Sequence, residues 1–133
     1  MNDLLRSRIR GCAVGAAVGD ALGMPLEFHA KRPEDDLVRE MKAGRLPAGS
    51  FTDDTEQALA LAESLLAFRP LDADDFARRL LDWFVAGPAD VGRHTASVLS
   101  RIDGGQPWDE AVEAVQRQRP DSAGNGSLMR AWP

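Results

Sequence analysis

Apolar residues along the chain recur mainly at three- and four-residue spacing, and runs that alternate with period two and carry β-branched residues are few. With alanine abundant and tyrosine absent, this periodicity predicts an all-α fold. A first helix is expected over about 5–22, where Gly11, Gly15 and Gly19 fall on one face and suit a central, closely packed position. It stops at Leu22-Gly23, ahead of an extended step into Pro25. Segment 31–50 mixes charges with Pro33, Gly44, Pro47 and Gly49, and reads as a loop and candidate lid with one short helical turn near 35–41. A second helix is expected from Asp53 or Asp54 to Phe68, with Leu59, Ala62, Leu65 and Leu66 as its apolar stripe. A third spans 72–84 around Phe76, Leu80, Trp83 and Phe84, and a fourth spans 91–102 with Val91, Thr95, Val98 and Ile102 inward. Pro107 opens a fifth, whose acidic start and basic end suit the helix dipole and whose buried side is Trp108, Ala111, Val112 and Val115. From Pro120 the chain reads as a loop as far as Ser127, after which Leu128, Met129 and Trp132 look like the opening of a buried element.

Composition narrows the function classes. The 133 residues fit one domain. Sixteen Lys and Arg against twenty-one Asp and Glu leave a net charge of −5, which argues against general nucleic-acid binding but leaves anionic small molecules open. The only cysteine, Cys12, lies in an alanine- and glycine-rich stretch that reads as buried, so neither a disulfide framework nor a cysteine metal site is expected. A reducing, cytoplasmic setting follows as the default. The apolar stretch 11–26 is interrupted by Asp20 and is too short to span a bilayer; the amino-terminal residues also lack the order of a secretion signal, so neither membrane insertion nor export is expected.

Two stretches carry candidate chemistry. Thr52-Asp53-Asp54-Thr55-Glu56 precedes a buried apolar run. One reading is a helix cap, with Thr52 or Asp53 accepting from unpaired amides and Glu56 completing an approximate capping box. The other is a cation site. Adjacent carboxylates repel unless positive charge offsets them, and Thr52, Asp53 and Asp54 offer hard oxygens suited to magnesium, manganese or calcium. Three such donors leave coordination incomplete, and Asp20 and Glu27 are the best local candidates to approach; Asp72, Asp74 and Asp75 read as solvated residues at a helix start. Further on, Gly124-Asn125-Gly126-Ser127 reads either as an ordinary turn or as a backbone cradle for phosphate, with Arg130 able to aim a cation at the same ligand.

Three stretches, taken in order, closely resemble the amino-terminal part of the ADP-ribosylglycohydrolase family. They are 10–23, RGCAVGAAVGDALG, with Glu27; Phe51-Thr52-Asp53-Asp54-Thr55; and Gly124-Asn125-Gly126-Ser127-Leu128-Met129-Arg130 with Pro133. The resemblance implies a compact multi-helix domain with two divalent cations, magnesium or manganese, in a cleft that cleaves ADP-ribose from protein side chains or related small molecules. It gives Thr52, Asp53 and Asp54 the role of metal ligands and makes Asp53, Asp54 and Glu27 the catalytic candidates, with Glu27 near the substrate. By the same resemblance Gly124, Asn125, Gly126 and Ser127 approach the diphosphate and ribose, and Asp90 lies beside the cleft. Asp20 supports the site loops through hydrogen bonds, with a water-mediated metal contact as the alternative. His94 is a rim residue and His29 is incidental to the entrance.

The resemblance extends over all 133 residues, about half of a family domain, and nothing here replaces the second acidic motif that completes the two-metal centre. A complementary carboxyl-terminal half is therefore an expected partner, and the chain by itself is expected to be inactive or weakly active. The alternative is a noncatalytic ADP-ribose-binding or structural helical subunit.

Overall fold

The structure, a computed structural model, describes residues 2–33 and 35–133. The described residues are all helical in their regular structure, without strands. Helix α1 spans Asp3–Gly23 and runs into a 3-10 turn, Met24–Leu26; α2 spans Asp53–Ala67, α3 Ala73–Val85, α4 Arg93–Asp103, α5 Trp108–Gln118 and α6 Gly126–Met129. Local chemistry sets many of these limits. Asn2 caps α1, its Oδ1 accepting from the Leu5 amide at 2.8 Å, and Asp72 caps α3 in the same way for Asp75 at 3.0 Å. Gly105, at φ 90°, turns the chain after α4, and Pro107 sits at the cap of α5.

Helices α2 to α5 pack in chain order, each on the next, and α6 leans on α2. Ala60 of α2, Leu80 of α3 and Leu99 of α4 form the core, flanked by Phe76, Trp83, Phe84 and Ile102. Helix α5 closes one side with Ala111 and Val115, both fully buried. Its expected inner face is narrower than the spacing implied: Trp108 and Val112 are exposed, and the Trp108 indole N–H donates instead to Asp74 at 2.5 Å. Nor is Asp75 solvated. It is buried between Arg78 and Arg79, and Arg79 above all holds its carboxyl down at about 2.

Helix α1 departs most from expectation. It meets α2 and the turn that follows it, and Ala21 is its one buried residue. A methyl group added at Gly11, Gly15 or Gly19 would touch nothing within 4 Å, and Cys12 is exposed. The glycine face that suited close packing is therefore uncovered, because the remaining described helices lie beyond its reach. Segment 27–52 forms no helical turn near 35–41, and position 34 lies outside the described residues. At the other end Leu128 is exposed, while Met129 and Trp132 are half-buried. Among the described residues no helix is long and apolar enough to cross a membrane.

Candidate functional site

The start of α2 is built by a residue of another helix. Thr52 is its N-cap in an extended conformation, yet the Thr52 side chain makes no capping bond. Asp20 of α1 takes that part. Its carboxylate accepts from the Thr52 amide at 2.8 Å, the Thr52 hydroxyl at 2.7 Å, the Thr55 amide at 3.2 Å and the Thr55 hydroxyl at 2.6 Å. An anion at the positive end of α2 satisfies two otherwise orphaned amides and fixes both threonines. The local capping box is thus not formed, and Glu56 instead accepts from the Trp83 indole at 2.7 Å. With Asp20 holding the backbone beneath them, Asp53 and Asp54 need not cap anything.

Both face an open cleft of about 1140 Å³. Glu27 and Asp90 line the same cleft, as do Gly124, Asn125, Gly126 and Ser127. The structure thereby brings together seven of the expected site residues, drawn from the turn after α1, the start of α2, the α3–α4 connection and the loop ahead of α6, and joins them to Asp53 as the eighth. Thr52 is buried and is not among the cleft-lining residues; its hydroxyl gives its proton to Asp20. His94 lines the cleft, 3.1 Å from the Ser122 hydroxyl. The His29 ring is exposed and lies 2.9 Å from the Glu27 carbonyl.

Asp53 is the most perturbed acid of the group. Burial pushes its carboxyl up to about 6, with repulsion from Asp90 and Asp54 adding to the shift and the Gly92 amide opposing it. Its Oδ2 accepts from the Gln57 side chain at 3.2 Å and from Gly92 at 3.4 Å. Asp54 is also raised, first by burial and then by Asp20, Glu27 and Asp90, against a lowering from Arg45. Arg130, lowered by burial but held up by Asp53, reaches back to the Gly126 carbonyl.

Three contributors escaped the sequence reading. Gln57 is fully buried under Asp53, a position the four-residue helical spacing could have suggested. Arg45 bridges Glu27 at 2.5 Å and, still closer, Asp90; no spacing rule links a loop arginine to either. Phe28, at φ 64°, takes a backbone conformation that costs a non-glycine residue about 1 kcal/mol, and it stands 91% exposed at the cleft next to Glu27.

Asp53 and Asp54 turn hard carboxylate oxygens towards the cleft, the donor type that magnesium or manganese takes. Among the described residues no group of three or more His, Cys, Asp or Glu side chains is gathered tightly enough to hold a metal ion.

Comparison with known proteins bears on what this cleft belongs to. The chain is 36% identical to an ADP-ribosylarginine hydrolase of Serratia proteamaculans, over 95% of this chain and 35% of that protein. It is also 36% identical to the ADP-ribosyl-dinitrogen-reductase glycohydrolase of Rhodospirillum rubrum, over 97% of this chain and 44% of the relative. A solved structure described as an ADP-ribosylglycohydrolase-related protein complex superposes with a TM-score of 0.70 at 43% identity, covering 95% of this chain and 41% of that one. The chain therefore spans less than half the length of these relatives. The profile of the ADP-ribosylglycohydrolase family matches residues 1–133, and the chain belongs to that family.

Proposed function

We propose that the cleft contributes to hydrolysis of the glycosidic bond between ADP-ribose and a modified protein side chain or a related small molecule, and that it acts with a complementary carboxyl-terminal half. The observation that carries this reading is the convergence of Glu27, Asp53, Asp54 and Asp90 with the 124–127 loop on one cleft. Asp53 and Asp54, with Thr52 held behind them by Asp20, would supply part of the ligands for magnesium or manganese, two ions in the complete domain. When bound, such ions orient ribose oxygens and water and make that water more acidic. Gly124, Asn125, Gly126 and Ser127 would hold the diphosphate through their backbone.

In the reaction, water adds to the anomeric carbon as the bond to the leaving side chain breaks. A carboxylate of the cluster accepts the water proton while positive charge develops on the ribose, and it passes that proton to the departing group, which leaves the carboxylate regenerated. Asp53 engages Oδ2 with Gln57 and Gly92, and Oδ1 has no such partner among the described residues. Loss of Asp53 or Asp54 should therefore cost more rate than loss of Glu27.

The surface supports a partner. Residues Leu5 and Ile9 stand on one side of α1 by their spacing, with Val14 and Val18 on the other, and all four are exposed. Between Gly11 and Gly19 the helix carries no charged residue, and a stretch apolar all round is ordinarily buried. The accessible surface, 9100 Å², also exceeds the roughly 6,800 Å² expected of a compact monomer of 14.4 kDa. A helical partner carrying further acidic ligands would cover this face and complete the metal centre.

The test is release of ADP-ribose from an ADP-ribosylated protein in the presence of manganese, by the 133-residue chain alone and after addition of a polypeptide corresponding to the remainder of a family-length domain. Little turnover by the first and metal-dependent turnover by the second is the expected result, with Asp53→Asn and Asp54→Asn losing it. Robust turnover by the chain alone would remove the need for a partner. The sparse metal ligand set favours one second reading, a noncatalytic ADP-ribose-binding subunit. Calorimetry would then show ADP-ribose binding by the chain, unaffected by manganese and without turnover in either preparation.

A further inference from the structure

Among the described residues, the largest side chain wholly out of water is an amide. Gln57 has no exposed surface and exceeds Val115 and Ser64, the next side chains so enclosed, in volume. Glutamine is a costly occupant of such a place, because its carbonyl and NH2 groups give up their hydration and recover it only where protein partners replace water. One partner is present. Nε2 donates to Asp53 Oδ2 at 3.2 Å, one turn back along α2, while Oε1 has no partner among the described residues. A methionine or leucine at this position would strand no polar atom of its own. Packing alone therefore does not explain the amide.

What the amide does is fix one oxygen of a carboxylate. Asp53 Oδ2 also accepts from the Gly92 amide at 3.4 Å, so donors from α2 and from the α3–α4 connection meet on the same atom. Oδ1 has no partner among the described residues and, unlike Gln57 Oε1, is not sealed from solvent; Asp53 lines the cleft. The torsion that turns a carboxylate is broad and nearly two-fold, so without an anchor its two oxygens trade places. The Gln57 amide removes that freedom and leaves Oδ1 as the oxygen that meets what enters the cleft.

We infer that Gln57 is a positioning residue for the hydrolysis: buried beneath Asp53, it holds Oδ2 so that Oδ1 is the oxygen presented to the reacting water. This rests on the hydrolytic reading given above and on no bound ion. A carboxylate that takes the water proton must meet that water at hydrogen-bond distance in the right orientation, and a misaimed one loses rate without loosening the substrate. Loss of the amide should therefore lower kcat on the order of ten- to a hundredfold and leave KM nearly unchanged.

The experiment compares the parent with Gln57→Met, which keeps the length and bulk of the side chain without its amide, and with Ser64→Ala, at an equally buried position two turns further along α2. Urea unfolding of the 133-residue chain reads stability. Release of ADP-ribose from an ADP-ribosylated protein reads kcat and KM, with the chain joined by the polypeptide corresponding to the remainder of a family-length domain. Gln57→Met should unfold at or above the parent midpoint, yet lose kcat about tenfold or more with KM within about twofold of the parent. Ser64→Ala should keep the parent kcat. A midpoint well below the parent, or failure to fold, makes the amide of Gln57 structural and overturns the inference. So does an unchanged kcat in Gln57→Met, a loss carried by KM, or an equal loss of kcat in Ser64→Ala. No turnover by the assembled parent sinks the hydrolytic reading and the positioning with it, whereas parent turnover indifferent to Gln57 sinks the positioning alone.

Discussion

Two halves of this molecule are held together by different physics. Helices α2 to α5 bury one another's apolar side chains, and Ala60, Leu80 and Leu99 need nothing outside the chain to leave water. Helix α1 and segment 27–52 bury little and are tied to that body by polar contacts, Asp20 to Thr52 and Thr55 on one side and Arg45 to Glu27 and Asp90 on the other. The first half makes a scaffold that carries Asp53, Asp54 and Asp90; the second brings Glu27 and Arg45 to the cleft and leaves much of α1 uncovered. The difference teaches that Glu27 and the threonines behind Asp53 are held by charge and hydrogen bonds rather than by apolar packing, as is common where function sets the residues.

This contrast can be broken in order of expected effect. Leu99→Ala, in the self-sufficient half, should cost about 3 kcal/mol in urea unfolding of the chain alone; a cost below 1 kcal/mol would mean that the core is not where the stability lies. Asp20→Ala strands two amides at the start of α2 and should cost about 2 kcal/mol. It should also weaken manganese binding, an effect Leu99→Ala does not share if its fold persists. Asp53 should act in the opposite sense. Its folded carboxyl takes a proton at about 6 against 3.8 as the ordinary value, so between those pH values the folded chain binds more protons than the unfolded one. The contribution of Asp53 therefore becomes more unfavourable as pH rises through that window and is fully unfavourable above it. Asp53→Asn should then stabilise the metal-free chain by about 1–2 kcal/mol at pH 7.5, with the gain shrinking towards pH 4 in parallel thermal melts. The smallest effect belongs to the uncovered face. The double variant Ile9→Ser, Val14→Ser should change the stability of the chain alone by less than about 0.5 kcal/mol, yet weaken association with the complementary half in a pull-down titration. A large loss in the chain alone would show that α1 is already packed.

How much was legible varies by element. The four helices from residue 53 to 118 declared themselves through three- and four-residue spacing, because burial against a neighbour requires an inward face, but the face of α2 was misjudged: Leu59 and Leu66 are exposed, and Ala58, Ala60 and Ser64 are buried in their place. Boundaries fell within one or two residues where a chemical cap or a proline marked them, as at Asp72 and Pro107. For α1 the sequence was read correctly as a helix and wrongly as a packed one. Gly11, Gly15, Gly19 and Cys12 record a suitability for close contact, and whether anything makes that contact is not a local property. Asp75 misled in the opposite direction, since an acid at a helix start is usually solvated unless arginines one turn later fold back on it.

The sequence alone determined the helical class, because that rests on spacing along single helices, and its resemblance to the family pointed to the acids and glycines that the structure lines up along one cleft. The tertiary structure decided that Asp20 rather than Thr52 or Glu56 caps α2, that Gln57 lies under Asp53, and that Arg45 joins Glu27 to Asp90. Those contacts connect residues that the chain holds far apart, or choose among several partners equally near in sequence. A hydrogen bond or an ion pair depends on atoms meeting within about 3 Å, and only the packing of one helix on another brings them there.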